Sequence, residues 1–536
     1  MDMTEPDAAG GHLEASSTTH AGYSNDTSAS PRASQGNSTQ PISEKHARKD
    51  ELQILDWDGP NDPGNPVNYS STRKWLIAGT ALFSTLIVPL NGTGIAIAVY
   101  EINAEFGISD ANFPNSYWSI TSWSVGGALF IIVFLPLLED VGVRNGYLIF
   151  YLFFLLMIIP QALAQNYATL IVTRFFSGGC VALLANTISS TIPDLWEDDR
   201  GRTLPVSIYI LFYTAGATLG PAVFGGVIQH IGNWRWIFYI QLIVYGALFP
   251  LFFFMIKETR TNVILRRRAE NLRKETGRPI YAPTELQQTN ILRTITQSAY
   301  RPLFLVFTEP VLAASAIWSA FAFGTVFMFT QSVELVFAST YAWPVPSTGY
   351  ILLAVVLGEC IGWATSLIGI RPYFHSAHRN PETPGRPIPE ARLYVSVLGS
   401  SLGMAGGMFV YGWTAYPHIH WIAPATGLAL VGAGIQIVIS AVADYVVDAY
   451  AASNYAGSAI SAVAALENIV AGILPLATMS MYRTLGFQWA SSTLGFIALG
   501  LSCLPVVLLW KGRALRARSP FMRSGGKSGV QGINKS

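Results

Sequence analysis

Four ionisable residues interrupt long apolar stretches of this chain: Arg174, Glu334, Glu359 and Glu467. A charge at the centre of a bilayer costs roughly 3 kcal/mol or more, so a residue that persists there is a functional candidate by default. A carboxyl removed from water holds its proton more tightly and can then exchange it near neutral pH. Glu359 and Glu467 fall near the middle of their apolar runs, and Glu334 falls near the end of one. Arg174 keeps its proton, so its expected role is electrostatic, pairing an acid in one state and releasing it in another. A structural hydrogen bond to a neighbouring helix is the plainer reading for each acid. No His or Asp stands at ligand spacing from them, so no metal cluster is expected.

A second pattern is dense in Gly and Pro: Gly216, Gly220, Pro221, Gly225 and Gly226. Gly216 and Gly220 make a small-xxx-small face that lets two helix backbones approach, and Pro221 loosens the helix locally. Trp118, Trp123, Phe321, Phe323, Phe327 and Phe329 are candidate walls for an apolar cavity. Cys180, Cys360 and Cys503 are far apart inside apolar runs and read as buried small residues, with no disulfide framework. No phosphate-cradling loop and no Ser/His/Asp arrangement is present, so catalysis, an ATP-binding domain and a cofactor are not expected.

These residues need membrane helices to hold them. The chain has 536 residues, a mean hydropathy of +0.37 and only 12% charged residues, about half the share of a soluble domain. Apolar runs of about 20 residues, the length that crosses a bilayer, fall near 75–99, 114–138, 146–164, 168–192, 205–228 and 236–256. A second set lies near 311–336, 348–371, 393–413, 421–443, 452–474 and 488–510. The chain thus reads as an all-α membrane protein of twelve transmembrane helices, with six-helix bundles at 75–256 and 311–510. Residues 1–70 read as a disordered tail with unused glycosylation sequons such as Asn25-Asp26-Thr27, 257–310 as a central loop, and 511–536 as a second tail. Of 33 Lys and Arg, all but Arg174, Arg235 and Arg483 fall on the side of the tails and central loop, which places both termini in the cytosol. The basic stretch with Val263, Ile264, Leu265 and Leu272 among Arg266, Arg267, Arg268, Arg273 and Lys274 reads either as an amphipathic helix on anionic lipid or as a solvated linker. It is no nucleic-acid site.

From about Asp56 to Phe521 the chain resembles the fungal twelve-span drug:H⁺ antiporters of the major facilitator superfamily. The resemblance rests on an ordered series: "DWDGPNDPGNPVNYSSTRKW", Arg174 with Gly178, "GATLGPAVFGG", "NWRWIFYIQ", "KETR", "RPLFLVFTEP", "PEARL", "GWTAYPHIHWIAP" and "DYVVDAYAAS". It implies two bundles around a cavity open alternately to each side, with spans 1, 4, 7 and 10 lining it and 2, 5, 8 and 11 flanking. It also implies proton coupling at Arg174 and export through the span-5 motif. The expected gate between spans 2 and 3 keeps only Glu139, Gly142 and Arg144, because Leu135 and Val143 replace its glycine and arginine. The span-5 motif has one residue too many between Gly220-Pro221 and Gly225-Gly226. Glu467, eight residues before Pro475, stands where that family usually has an arginine.

The expected function is therefore a proton-driven exporter of small amphipathic compounds, whether drug, toxin or secondary metabolite. It would work as a monomer in the plasma membrane, with the proton gradient as its energy source and lipid around it. A polyamine or nutrient carrier is the alternative on the same fold, and a non-transporting membrane sensor the alternative from another class.

Overall fold

The computed structural model describes residues 53–522 except 111–113, 287–290, 452 and 454; the side chains of residues 136, 139–141 and 291–298 are also outside the description. Among the described residues, eleven helical runs are long and apolar enough to cross a bilayer, and the last, Ala456–Arg518, has 63 residues. At 1.5 Å per residue such a helix would be about 95 Å long, three times the hydrocarbon thickness. It reverses instead at Gly486, whose φ of 77° and ψ of 163° are open to glycine and closed to other residues. The Tyr482 hydroxyl lies 3.2 Å from Ser491 Oγ, nine residues on, which a continuous helix forbids. The count is therefore twelve spans in two sets of six.

The first set comprises spans 1 (Ser71–Phe106), 2 (Trp118–Val141), 3 (Val143–Ala162), 4 (Tyr167–Leu195), 5 (Asp199–Ile231) and 6 (Arg235–Met255). The second comprises spans 7 (Pro310–Tyr341), 8 (Val345–Arg379), 9 (Pro389–Thr414), 10 (Ile422–Ala449), and 11 and 12 on either side of Gly486. The two halves are built alike. Span 2 meets span 4 where a side chain on Gly126 would strike the Phe175 backbone, and span 8 meets span 10 where one on Gly432 would strike Val355. Spans 3, 6, 9 and 12 are peripheral and turn large apolar side chains outward, among them Ile149, Ile243, Leu402 and Phe496, as lipid contact requires. Cys360 and Cys503 share such outward faces, so only Cys180 is buried as expected.

Span 1 is broken. Pro89 lacks a backbone donor, and the helix Ser71–Ile87 gives way to a single turn, Leu90–Thr93, and a 3-10 turn, Ala96–Ala98, before resuming at Val99–Phe106.

Residues 53–70, expected in the disordered tail, are folded onto the central loop. Strand β1 (Gln53–Ile54) pairs in parallel with β2 (Ile280–Tyr281). The helix Thr261–Thr276 packs Leu265 and Ala269 against Leu55, Trp57 and Ile280. Asp62 accepts from the Asp58 and Gly64 amides at 3.0 and 2.7 Å and from Arg268 at 2.7 Å, while Arg268 also pairs with Asp58. The amphipathic face of that helix is thus packed within the protein, and Arg266, Arg268 and Arg273 form ion pairs with acids of the same loop or of residues 53–70, the strap folded onto it. A bare lipid-surface helix does not describe it. A further helix, Ile291–Thr308, occupies the loop ahead of span 7. Residues 1–52 and 523–536, which contain Asn25-Asp26-Thr27 and most of the expected tails, lie outside the described residues.

Candidate substrate cavity and its buried charges

A cavity of about 170 Å³ lies between spans 4 and 5 of the first bundle and spans 10 and 11 of the second. Its lining comes from the halves of those spans nearest the central loop. Asn186, Ser189 and Tyr209 face it from one bundle, and Ile439, Val463 and Ala464 from the other. The ends of spans 5, 9 and 10 set Arg202, Arg392, Asp444 and Asp448 around its mouth. Glu467 and Tyr213 reach it from deeper in the spans.

On the far side of the cavity the bundles touch. Thr214 Oγ1 donates to Gln436 Oε1 and Thr218 Oγ1 to Glu359 Oε1, both at 2.7 Å. Thr121 Oγ1 donates to the Gly472 carbonyl at 2.9 Å. Trp123 lies against Phe327, with ring centroids 5.9 Å apart, and Tyr213 stacks on Phe323 at 5.3 Å. The span-5 glycines make this seam possible. A side chain on Gly216 or Gly220 would strike span 1 at Leu86 or Thr93, and one on Gly225 would strike the Pro346 carbonyl of span 8. Gly226 faces the Tyr350 hydroxyl, and the Pro221 carbonyl lies against Gly349. These five residues thus pack span 5 closely against both span 1 and the opposite bundle.

The structure separates the four membrane charges. Arg174 is fully buried and clamps the break in span 1: Nη1 donates to the Asn91 carbonyl and Nη2 to the Gly92 carbonyl, both at 2.5 Å, while Nε donates to the Ser119 carbonyl at 3.1 Å. Its partners here are backbone carbonyls, with no acid among them. Asn91 extends the clamp, donating to Gln241 at 2.7 Å and accepting from Trp123 Nε1 at 3.0 Å. Glu359 sits at the seam, with one oxygen bonded to Thr218 and the other without a partner. Glu334 is buried in the closed half of span 7, near Gln331, and neither Glu334 Oε1 nor the Gln331 amide atoms have a partner. Glu467 accepts from Ser319 of span 7 and faces the cavity.

Other expectations shift. None of the six aromatic candidates lines this cavity. Trp118 faces a shallow pocket at the far end with Tyr167 and Ile171, Phe329 packs on Tyr411 inside the second bundle, and Phe321, Phe323, Phe327 and Trp123 are buried on the closed side. The physical reason is that spans 1 and 7, expected to line the cavity, are closed over where the bundles meet; spans 4, 5, 10 and 11 supply the wall instead. At the expected gate, Gly142 adopts φ 113°, and Glu258 caps the start of span 3 by accepting from the Val143 and Arg144 amides at 3.1 and 3.3 Å. The Arg144 side chain donates to the Phe253 carbonyl at 3.4 Å and makes no ion pair among the described residues. It therefore stays within its own bundle. The side chain of Glu139 lies outside the described residues.

Sequence reasoning passed over the Arg392 cluster. Arg392 at the start of span 9 pairs with Asp444 at 3.1 Å and Asp448 at 2.9 Å at the end of span 10, and its guanidinium lies 3.6 Å from the Tyr373 ring centre. The signal was available: Asp444 and Asp448, four apart, share a helix face, and Arg392 is the arginine of "PEARL". No group of three or more His, Cys, Asp or Glu that could hold a metal occurs among the described residues.

Two six-span bundles, closed on each other at one end and parted by a cavity at the other, define a membrane carrier. The comparisons agree. The Major Facilitator Superfamily model matches residues 81–475, and the chain belongs to that superfamily, which comprises transporters and not enzymes. It is 32% identical over 516 residues to the efflux pump atB of Aspergillus terreus, covering 94% of this chain and 98% of the other. It is 31% identical to the efflux pump radE of Floropilus chiversii, covering 91% and 89%, and 30% identical to the MFS-type transporter paaT of Penicillium rubens, covering 86% and 82%. Among solved structures, the proton:xylose symporter XylE with a bound bromodeoxyglucose shares the fold with a TM-score of 0.57 at 15% identity, covering 83% of this chain and 96% of that one.

Proposed function

We propose that this transporter exports small amphipathic organic compounds in exchange for protons, with the central-loop end in the cytosol of a cell whose plasma membrane it occupies. The observation that carries the reading is the cavity: its wall is mostly aliphatic and aromatic, and it lies at the central-loop end while the far half is sealed. The excess of Lys and Arg at that end supports its cytosolic placement, and the relatives named efflux pumps support the direction. Glu359 is the acid best placed to couple protons. Its carboxyl holds a hydrogen bond from the opposite bundle, so a change in its protonation changes the contact that keeps the far half shut.

A polyamine carrier would need several unpaired acids in the cavity. Asp444 and Asp448 are committed to Arg392, which argues against it.

The test is purified protein in liposomes with an imposed pH gradient and a panel of fluorescent lipophilic compounds. Gradient-driven movement, abolished by a protonophore and by Glu359→Gln, supports exchange. Movement of polyamines or small nutrients alone would replace this reading with the carrier one.

A further inference from the structure

The charged groups lining the cavity are two guanidinium groups and three carboxyls: Arg202, Arg392, Asp444, Asp448 and Glu467. Arg202 pairs with Asp199 at 2.7 Å just outside, and Arg392 holds both aspartates. Glu467 is the one acid of the set with no basic partner. Among the described residues its hydrogen bond comes from Ser319, to Oε1. It sits 7% exposed, at the deep end of the cavity.

Its surroundings suit a particular kind of ligand. Tyr209 and Tyr213 stack with ring centres 6.4 Å apart and planes 10° apart, and Tyr213 continues the stack onto Phe323 at 7°. Ring faces attract cations and apolar bodies alike. Val206, Ile210, Ile460 and Val463 complete the middle of the wall. The order from mouth to floor is thus compensated charges, an aliphatic and aromatic sleeve, and one uncompensated carboxyl. At about 170 Å³ the space is small, below the roughly 300 Å³ of an ordinary drug-sized pocket, so it admits a compact ligand or the charged end of a longer one.

We infer that Glu467 is the counter-ion for a single positive centre, a protonated or quaternary amine, of an amphipathic ligand whose apolar body lies against Tyr209 and Tyr213. This rests on the exporter reading and deepens it by naming the substrate class. Because Glu467 has no cation of its own, a monovalent cation completes the site, whereas an anion would meet an unscreened carboxylate and a dication would leave one charge unpaired. Glu359, at the seam, remains free for the coupled proton, so substrate and proton occupy different acids.

The experiment measures binding of two matched fluorescent probes to the full-length protein in nanodiscs: an aromatic trimethylammonium compound and its neutral isostere with a tert-butyl group in place of the trimethylammonium. The quaternary nitrogen carries no proton, so ligand titration does not enter. The wild type is expected to prefer the cation by at least about tenfold, equivalent to about 1.4 kcal/mol. Glu467→Gln is expected to erase that preference while leaving affinity for the neutral probe within about threefold, which also shows that the variant is folded. Glu467→Asp keeps the charge and is expected to retain part of the preference. Equal binding of the two probes by the wild type, or a preference that survives in Glu467→Gln, overturns the inference. The wild type is also assayed in liposomes with both probes. Gradient-driven movement without cation preference sinks the inference and leaves the exporter reading standing; movement of neither probe sinks both.

Discussion

Arg174→Lys separates two roles that one arginine can play. The resemblance assigns this residue to proton coupling, whereas the structure gives it three backbone carbonyls, two of them at the break in span 1. Those carbonyls lost their helical partners when Pro89 and the following turns interrupted the span. Inside a bilayer a carbonyl without a donor is costly, which is why broken helices survive only where other groups satisfy them. A guanidinium presents its donors in a planar fork; an ammonium is a point charge on a shorter reach. Lysine therefore keeps the charge and loses one or two of the three bonds. At about 1.5–3 kcal/mol for a hydrogen bond to a charged group, the loss of one or two bonds costs about 1.5–6 kcal/mol. For a body this size about 1 °C per kcal/mol is expected, so the apparent Tm in detergent should fall by roughly 2–6 °C. The assay is a thermal-shift series on purified wild type, Arg174→Lys and Arg174→Met, with methionine, which loses all three bonds, falling furthest. If Arg174→Lys melts with the wild type while gradient-driven transport is lost, the guanidinium acts on protons and the clamp argument is wrong.

Three further expectations follow from geometry. Gly216→Val, which drives a side chain into the Leu86 carbonyl, should cut transport to a few per cent in liposomes; near-normal transport would mean that spans 1 and 5 do not need this approach. Gly486→Ala at φ 77° and ψ 163° should destabilise the turn between spans 11 and 12 by about 1–3 kcal/mol, read as lower yield and Tm, and an unchanged Tm would count against the reversal. The backbone amides of Asp58 and Gly64, with Arg268, hold the Asp62 carboxyl down from 3.8 to about 2. A depressed folded value means that Asp62 stabilises the strap fully above pH 3.8 and loses that contribution as pH falls toward 2. Pepsin cleavage within 53–62, corrected against an unfolded substrate, should rise over that interval in the wild type and lack the step in Asp62→Asn.

What the sequence made legible followed from periodic or costly features. Apolar runs are obligatory for crossing a bilayer, so twelve spans could be counted even where the chain between spans 11 and 12 turns at the single residue Gly486. The buried acids stood out because such groups are expensive, and the span-5 glycines because their spacing has one geometric meaning. The cavity wall was not legible. Which half of a span faces the cavity depends on the conformational state, and no local pattern distinguishes Tyr209 and Tyr213, which line it, from Phe321 and Phe327, which are buried beyond it. The strap was missed for a related reason. Gln53–Ile54 pairs with Ile280–Tyr281, more than 200 residues away, and a two-residue strand has no periodicity to read.

The seam also sets the energy scale on which this carrier switches. Opening the far half breaks the bonds of Thr214 to Gln436, Thr218 to Glu359 and Thr121 to Gly472. At about 0.5–1.5 kcal/mol net for each they sum to a few kcal/mol, the separation at which the minor of two states stays populated at the per-cent level. The apolar area lost on one side is regained when the other side closes, so these polar contacts carry much of the bias. One pH unit across the membrane is worth about 1.4 kcal/mol for each proton, the same order. A carboxyl at the seam is therefore placed where a proton's free energy is commensurate with the step that the proposed exchange would drive. A carboxyl at the cavity floor, about one and a half turns of helix from the nearest seam bond on its own span, is placed where a ligand's charge can be. That division holds only if Glu359 and Glu467 respond to different partners, which matched variants at the two positions separate.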